Sequence, residues 1–481
     1  MIAFDCHLSR FKLPRRASAA RIQWVDSARW PKPGDGLAIE TARIAADWLD
    51  WPGMIPSLSA FIDDSPMKLL LSTYSCQPCK TSEPGNAWRI INEALREHEV
   101  WAVIADGYQY RELTESWLAK NPLPNFHPIF FKLPPPFRWM CGRGQLEALH
   151  YHLWQEKLTG VVRELHRRIG FDLTHHVTYG RYWSPSGLHG LDLPFIWGPV
   201  GAAETPPRSF VSELPLRYRL LETLRDGARN WSCKSRSLRD TVRAATIGIG
   251  VTRESCEALR KLGVRRVERM PQMALTDEDL ARFGALPGPP PGPFRALCIG
   301  RHVHWKGFHL AIRAFALFAQ KSPDAELWII NDGPFRGELE KTAARTGMAA
   351  RVKFLGKMPT YQDVLQKLGQ SHVLLHPALH EGFGNVCLEA MAAGRPVACL
   401  DIGGPASQIT PETGYAAPAT TPGEAVPALA AFLEKINHDR ALLAAMSVRA
   451  REHVKRNFTM RQVNETLRRF YREAVAMHRA P

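Results

Sequence analysis

The chain contains no apolar run approaching the roughly 18 residues that a membrane-spanning helix needs. Its opening, Met1-Ile2-Ala3-Phe4-Asp5, has no positive start followed by an apolar core. Neither a membrane span nor a secretory signal is therefore expected. Cysteine is sparse, with nine residues in 481, odd in number and without framework spacing. That argues against a disulfide scaffold and suits a reducing cytoplasm. One pair, Cys76 and Cys79, forms C-x-x-C. A zinc site would need two more ligands and a redox role would need a helix N-terminus, so the pair reads as two unlinked thiols in a loop. Acid is in deficit as well: 47 Asp and Glu against 62 Lys and Arg leave a formal net charge of +15. This balance points to an anionic partner, whether nucleic acid, membrane surface or phosphorylated substrate, and does not choose among them.

What is present is an alternation of short apolar runs and helical patterns. Residues 1–66 stand apart: Pro31, Pro33, Pro52 and Pro56 interrupt any sustained period. They are expected to form an N-terminal extension, disordered, peripheral or not native. From Met67 onward strands are expected at 68–74, 100–105, 128–131, 172–177, 195–198 and 246–251, with helices between several of them. The run Leu286-Pro287-Gly288-Pro289-Pro290-Pro291-Gly292-Pro293 can form neither helix nor interior strand and reads as a stiff linker. The alternation then restarts, with strands expected at 295–299, 326–331, 352–355, 373–376 and 396–400 and helices at 308–320, 336–346, 361–368 and 386–393; residues 427–478 are almost all helical in pattern. Strands alternating with helices imply parallel sheets covered on both faces. Two α/β units joined by a linker place ligands beyond the carboxyl ends of their strands, in a cleft between them.

Two segments carry the chemistry. In Glu381-Gly382-Phe383-Gly384-Asn385-Val386-Cys387-Leu388-Glu389 the glycines free the backbone for close approach to a ligand. Asn385 suits a helix N-cap, and the helix start suits an anion. Carboxylates beside an anion site make sense if they bind hydroxyls, although an acidic first turn is also favoured by the helix dipole alone. In Gly300-Arg301-His302-Val303-His304-Trp305-Lys306-Gly307, directly after a strand, Arg301 and Lys306 can reach a phosphate. The plainer reading is two solvated cations. The segment has neither G-x-G-x-x-G nor G-x-x-x-x-G-K-[ST], so dinucleotide and P-loop readings lose support.

These segments resemble the Glu-x7-Glu and G-R-x4-K-G signatures of family-4 (group 1) glycosyltransferases, retaining enzymes of the GT-B type related to glycogen and sucrose-phosphate synthases. Further matches are Leu327-Trp328-Ile329-Ile330-Asn331-Asp332-Gly333-Pro334, Phe354-Leu355-Gly356, Gly394-Arg395-Pro396 and Gly403-Gly404-Pro405. The first unit resembles a narrower set, of the exopolysaccharide and envelope-glycan type, through Ser82-Glu83-Pro84-Gly85, Asp172-Leu173-Thr174-His175-His176-Val177 and Gly198-Pro199-Val200-Gly201. Thr81, Ala202 and Asn331 stand where such sequences have glycine.

The resemblance implies an α/β GT-B fold: two Rossmann-like domains, 67–285 on the acceptor side and 295–458 binding the nucleotide sugar, with parallel sheets facing each other across a cleft. The linker would be 286–294, and 459–481 a C-terminal helix returning to the first domain. It implies that Arg301 and Lys306 hold the donor diphosphate and that Glu389 binds the ribose. Glu381 and the backbone of Gly382, Phe383, Gly384, Asn385 and Val386 would hold sugar and phosphate. Gly300 would open the phosphate turn, and Gly356, Lys357 and Met358 would flank the base. Gly85 would approach the diphosphate, and His175 or His176 would touch sugar or acceptor. A retaining transfer by front-face attack follows from the same resemblance, with no metal and no cofactor beyond the nucleotide-sugar donor.

The acceptor would be a glycan or a lipid-linked glycan precursor, and nucleic acid is not an expected partner. Residues 207–244 interleave Arg208, Arg217, Arg219, Arg225, Arg229, Lys234, Arg236, Arg239 and Arg243 with Leu214, Leu216, Leu220, Leu221 and Leu224. This is either a basic amphipathic surface for an anionic membrane or a helical pair whose leucines face the core. The expected location is cytoplasmic, peripheral at the inner face of the membrane. Two rival readings remain at this level: a GT-B nucleotide-sugar epimerase, and a non-enzymatic basic scaffold binding membrane or nucleic acid.

Overall fold

The apolar runs that carry no period become strands buried on both faces. In this computed structural model, which describes residues 65–78, 83–135, 137–141 and 146–479, they build two parallel sheets. The first contains β1 (Lys68–Thr73), β2 (Glu99–Ala105), β3 (Phe126–Phe131), β4 (Leu173–Thr178), β5 (Phe195–Val200), β6 (Ile247–Gly250) and β7 (Val267–Arg269), in the order β3-β2-β1-β4-β5-β6-β7. The second contains β8 (Arg295–Ile299), β9 (Glu326–Ile330), β10 (Val352–Gly356), β11 (Val373–His376), β12 (Val397–Leu400) and β13 (Gly414–Ala417), in the order β10-β9-β8-β11-β12-β13. Each order reverses once, between β1 and β4 and between β8 and β11. A doubly wound sheet opens a crevice at that point, where neighbouring connections leave in opposite directions. Residues 1–64, nearly all of the expected extension, and 79–82, with Cys79, Thr81 and Ser82, lie outside the described residues.

Helices cover both sheets. Those of the first half are α1 (Glu83–Ala94), α2 (Tyr110–Lys120), α3 (Leu146–Ile169), α4 (Arg208–Ser212), α5 (Leu216–Ser232), α6 (Arg236–Ala244), α7 (Arg253–Leu262) and α8 (Asp277–Gly284). Those of the second are α9 (Phe308–Ala319), α10 (Arg336–Arg345), α11 (Tyr361–Gly369), α12 (Asn385–Ala392), α13 (Gly403–Gln408), α14 (Pro422–His438) and α15 (Arg440–Asn457), and the last helix, α16 (Met460–Arg479), returns to the first. Strands β7 and β13 escape a reading by apolar run because V-E-R and G-Y-A-A are too short and too weakly apolar to stand out. The continuous helical pattern at the C-terminus divides into three helices. Asp439 breaks it, and its side chain caps α15 by accepting from the Leu442 N–H at 2.8 Å.

Helix α16 packs on the first sheet. Val463, Leu467, Phe470, Tyr471 and Ala474 join the core formed by Leu69, Leu71 and Ile91. Burying each large side chain contributes about 1.5–3 kcal/mol. Arg468 pairs with the buried Glu93 at 2.9 Å, and Tyr471 Oη meets His175 Nδ1 at 2.9 Å. Two of the expected glycine departures are left-handed: Ala202 has φ 65° and Asn331 φ 92°. Glycine fits such backbone best, and asparagine tolerates it better than alanine.

The proline-rich connection is fixed through Arg395, whose side chain is fully buried. Its guanidinium donates to the carbonyls of Pro287 (3.0 Å), Leu368 (3.1 Å), Gly369 (2.8 Å) and Ala393 (2.6 Å). Burial pulls the guanidinium down to about 10, with Arg451 adding repulsion. Arg395→Met keeps much of the volume but removes every donor. It is expected to lower the free energy of unfolding by about 3 kcal/mol or more, since each orphaned buried acceptor costs about 1–3 kcal/mol. Urea unfolding measures this, and a loss below about 1 kcal/mol would contradict the assigned role.

Candidate active site

Loops and helix starts beyond the carboxyl ends of the strands, those of β1, β4, β8 and β11 at the two reversals of strand order among them, line a cavity of ≈ 830 Å³. From the first half its walls are Glu83, Asn86, Glu147, Ala148, Tyr179, Gly180, Arg181, Gly201, Ala202 and Gln272. From the second half they are Ile299, Gly300, Lys306, Tyr361, Val364, Glu381, Gly382, Phe383, Gly384, Asn385, Val386 and Glu389.

Lys306 and Glu381 meet here, Nζ against Oε2. Gly307 makes this possible. It has φ 68°, and a Cβ there would overlap the Pro377 carbonyl, so only glycine lets the lysine turn lie against the end of β11. Burial alone would raise the Glu381 carboxyl. Lys306 and then His376 outweigh it and hold the group at about 2. His376, fully buried, stands 3.7 Å from Glu381 Oε2; its ring nitrogens have no hydrogen-bond partner among the described residues, and burial lowers its own affinity for a proton.

Helix α12 starts from Gly384, at φ 79°, rather than from Asn385, which is its first helical residue. The left-handed glycine turns the chain out of the loop, so the expected asparagine cap is not used. Its N-terminus opens on the cavity beside Lys306, which gives an anion both a cation and a helix dipole. Glu389, a little over one turn in, behaves unlike Glu381. Burial, then repulsion from Asp279, pushes it up to about 7 against the opposing pull of Tyr361 and Arg89. In the first half, burial likewise pushes Glu83 up to about 7, although the Gly180 N–H donates to Glu83 Oε1 at 3.3 Å and Arg181 lies nearby. The cleft thus combines one carboxylate held ionised with two that readily carry a proton near neutrality. Such a set can bind phosphate at one end and hydroxyls at the other.

Of the residues expected from sequence, Gly300, Lys306, Glu381, Gly382, Phe383, Gly384, Asn385, Val386 and Glu389 come together in the cavity wall. Seven do not. Arg301 is exposed outside it, because the His302 N–H is tied to the Asp332 carbonyl at 3.0 Å and the His302 ring turns into the core, leaving its neighbour to face water. Gly85 lies within the first turn of α1 rather than at a loop tip. Helical spacing turns Glu83 and Asn86 to the cavity and Gly85 away. Gly356 ends β10 and, with Lys357 and Met358, stays clear of the wall, where Tyr361 and Val364 of α11 stand instead.

His175 and His176 require a correction. Both are fully buried and lie outside the cavity wall, with both nitrogens of each ring engaged. His175 meets Tyr471 Oη at 2.9 Å and the Gly198 carbonyl at 2.6 Å. His176 meets Ser186 Oγ at 3.1 Å and Tyr151 Oη at 3.2 Å. Burial drives both to about 4, so they are neutral packing residues. The sequence reading gave no site role to Glu83, Asn86, Glu147, Tyr179, Arg181 or Tyr361. Glu83 and Glu147 left a local sign, each an acid in the first turn of a helix.

Residues 287–453 match the family model described as glycosyl transferases group 1. Among curated relatives, the chain is 36% identical over 106 residues to a 2-deoxystreptamine glucosyltransferase of Streptomyces kanamyceticus, covering 22% of this chain and 27% of that one. It is 32% identical over 177 residues to a GDP-mannose-dependent monoacylated alpha-(1-6)-phosphatidylinositol monomannoside mannosyltransferase of Corynebacterium glutamicum, covering 35% and 45%. A lipopolysaccharide core biosynthesis glycosyltransferase of Rhizobium meliloti is 29% identical over 187 residues, covering 39% and 52%. The chain thus spans about a quarter to a half of the length of these relatives. Among solved structures, an Anabaena protein in complex with UDP has TM-score 0.54 at 17% identity, covering 85% of this chain and all of that one. A sucrose-phosphate synthase from Thermosynechococcus elongatus has TM-score 0.57 at 16% identity, covering 85% and 99%. The architecture is GT-B.

The two glutamates of the signature give opposite pH signatures. Glu389 is raised in the fold, so the stability it carries is fully present below its ordinary value of 4.5 and is lost as pH rises through about 7. Glu389→Gln does not titrate. Its stability relative to the parent is expected to rise between pH 5 and pH 8, by about 1–2 kcal/mol once residual solvation is allowed for. Melting both proteins across that window tests this, and parallel curves would exclude a raised Glu389.

Proposed function

We propose that this protein is a glycosyltransferase that moves a sugar from a nucleotide-diphosphate donor to a glycan acceptor, with retention of configuration and without a bound metal. The observation that carries this reading is the contact of Lys306 with Glu381 at the N-terminus of α12, inside the segment matched by the group 1 family model. When the glycosidic bond breaks, charge grows on the departing diphosphate. A lysine and a helix N-terminus fixed in a sheltered cleft stabilise that charge without reorganising. Glu381, ionised, suits a sugar that gains positive character as it loses the phosphate. Glu389, further along α12 and partly protonated near neutrality, suits the ribose hydroxyls. No step in this account needs a cofactor. UDP is the first nucleotide to test, because the Anabaena neighbour carries it.

The acceptor side is read as a lipid-linked glycan met at the cytoplasmic face of a membrane. Helix α5 supports this. Leu216, Leu220 and Leu224, four residues apart, are 67%, 55% and 69% exposed, and Trp231 is 70% exposed. That spacing puts them on one outward stripe. Arg217 and Arg219 are exposed on the same helix, Lys234 just past its end, and Arg236, Arg239 and Arg243 on α6, which follows. The inward face belongs to Tyr218 and Glu222, so these leucines do not face the core. Apolar side chains rimmed by cations fit an anionic lipid surface, where each nearby cation contributes about 1 kcal/mol. No helix among the described residues is long and apolar enough to cross a membrane. Two of the curated relatives are named for phosphatidylinositol monomannoside and for lipopolysaccharide core, which supports the same class of acceptor.

Lys306→Ala is expected to lower turnover about a hundred- to a thousand-fold, the usual cost of one lost charge-stabilising donor. Glu389→Ala is expected to act mainly on KM for the donor, because the ribose changes little during reaction. Arg301→Ala, outside the cavity, is expected to have the smaller effect. Sugar transfer measured with the donor found by a thermal-shift panel decides this. If Lys306→Ala turns over like the parent, the cleft is misassigned, and an altered sugar formed without acceptor would indicate an epimerase. In flotation with phosphatidylglycerol vesicles, the parent is expected to bind at low salt and weaken at high salt. Leu220→Gln with Leu224→Gln should lose binding. No flotation of the parent at low salt would remove the membrane part of the reading.

A further inference from the structure

Glu222 of α5 is a carboxylate 5% exposed, reaching from the first half toward two loops of the second. Its Oε1 accepts from His304 Nε2 at 2.8 Å and from His380 Nε2 at 3.2 Å, and its Oε2 accepts from Arg225 at 3.4 Å. His304 stands two residues before Lys306, and His380 directly precedes Glu381. The two histidine loops are bound to each other as well. The Leu379 N–H donates to the Trp305 carbonyl at 2.7 Å, and Trp305 stacks on the His380 ring at 5.5 Å and 18°. Tyr218, one turn before Glu222, rests its ring 4.7 Å from His304 and donates from Oη to the Pro334 carbonyl at 3.3 Å. Each loop therefore carries one member of the Lys306–Glu381 contact and one histidine donating to the same oxygen.

We propose that Glu222 is a positioning residue, which ties helix α5 to the loops of Lys306 and Glu381 and so sets the donor side of the cleft. This rests on the reading of Lys306 and Glu381 as diphosphate and sugar contacts. Glu222 is not part of the cavity wall, so its effect passes through the histidines. Burial would raise its carboxyl, but the donation from His304 and His380 and the charge of Arg225 hold it well below the usual range. A buried carboxylate kept ionised by three donors is costly to leave half-paired, which makes the arrangement all-or-none. Glu222, His304 and His380 also present ligand atoms within 4.8 Å of one another, as a divalent cation would require. The hydrogen bonds already satisfy both carboxylate oxygens, and the guanidinium beside them opposes a further cation, so the contact is a hydrogen-bonded clasp.

The test uses Glu222→Gln in the full chain. Hydrogen exchange over residues 303–307 and 378–384 is expected to quicken together, although the two segments are far apart in sequence, and unchanged exchange in either would overturn the clasp. Affinity is then measured for whichever of UDP, GDP and ADP most raises the parent's melting temperature. Glu222→Gln is expected to weaken it about tenfold in the parent and less than about twofold in Lys306→Ala, since residues acting as one unit are not additive. Equal losses in both backgrounds would make Glu222 a general structural residue and overturn the positioning role. If the parent binds none of the three, the reading of the cleft falls while exchange still decides the clasp. Stoichiometric zinc in the purified parent, lost in Glu222→Gln, would replace the hydrogen-bonded clasp with a metal site. Should Glu222→Gln fail to fold, His380→Asn carries the same measurements from the other side.

Discussion

Glu381 lies in a loop where burial alone would raise its carboxyl. It stays ionised because Lys306 is held against it, with His376 behind. That contact constrains much of the second half. Gly307 must lack a side chain so that the lysine turn can lie on the end of β11, and Gly384 must be left-handed so that α12 starts with its N-terminus toward the same spot. The result is a lysine and a helix N-terminus fixed together at the reversal of strand order, facing a first-half wall that carries Glu83 and Arg181. Charge stabilisation in such a site needs no movement of dipoles at the moment of reaction, which is the physical advantage of building it on strand ends.

Helix α5 has two unlike faces. Outward it shows leucines and a tryptophan among arginines; inward it presents Tyr218 and Glu222 to the loops of the cleft. A helix is rigid over this length, so whatever orients its outer stripe also orients its inner carboxylate. The outer stripe proposed to meet lipid and the loops at the donor side of the cleft thus share one element.

Much of the remaining buried polarity has structural work to do. His175 and His176 tie β4 to α16, to α3 and to the turn at Ser186 as neutral rings. Arg395 gathers the carbonyls of the linker and of the turns after α11 and α12. These groups resemble catalytic residues by type alone. What separates them from Lys306 or Glu83 is that they lie away from the cavity wall, with their side-chain polar atoms taken up inside the protein.

The sequence by itself determined the strand-and-helix alternation, because parallel strands buried on both faces read as apolar runs and turns as glycine and proline. It also determined the cluster from Gly300 to Glu389, since those side chains lie in two contiguous segments, each following a strand that the pattern reveals. Tertiary structure alone decided the rest. Whether Arg301 or Lys306 enters the cleft depends on which neighbour the core takes, and His302 takes that place. Whether a histidine is a ligand or a packing residue depends on partners such as Tyr471, which is 296 positions from His175. The first-half wall of Glu83, Glu147, Tyr179 and Arg181 and the clasp of Glu222 on His304 and His380 come from segments with no common local pattern. Local sequence fixes where a chain turns; which side chains then share a cavity depends on the packing of elements far apart along it.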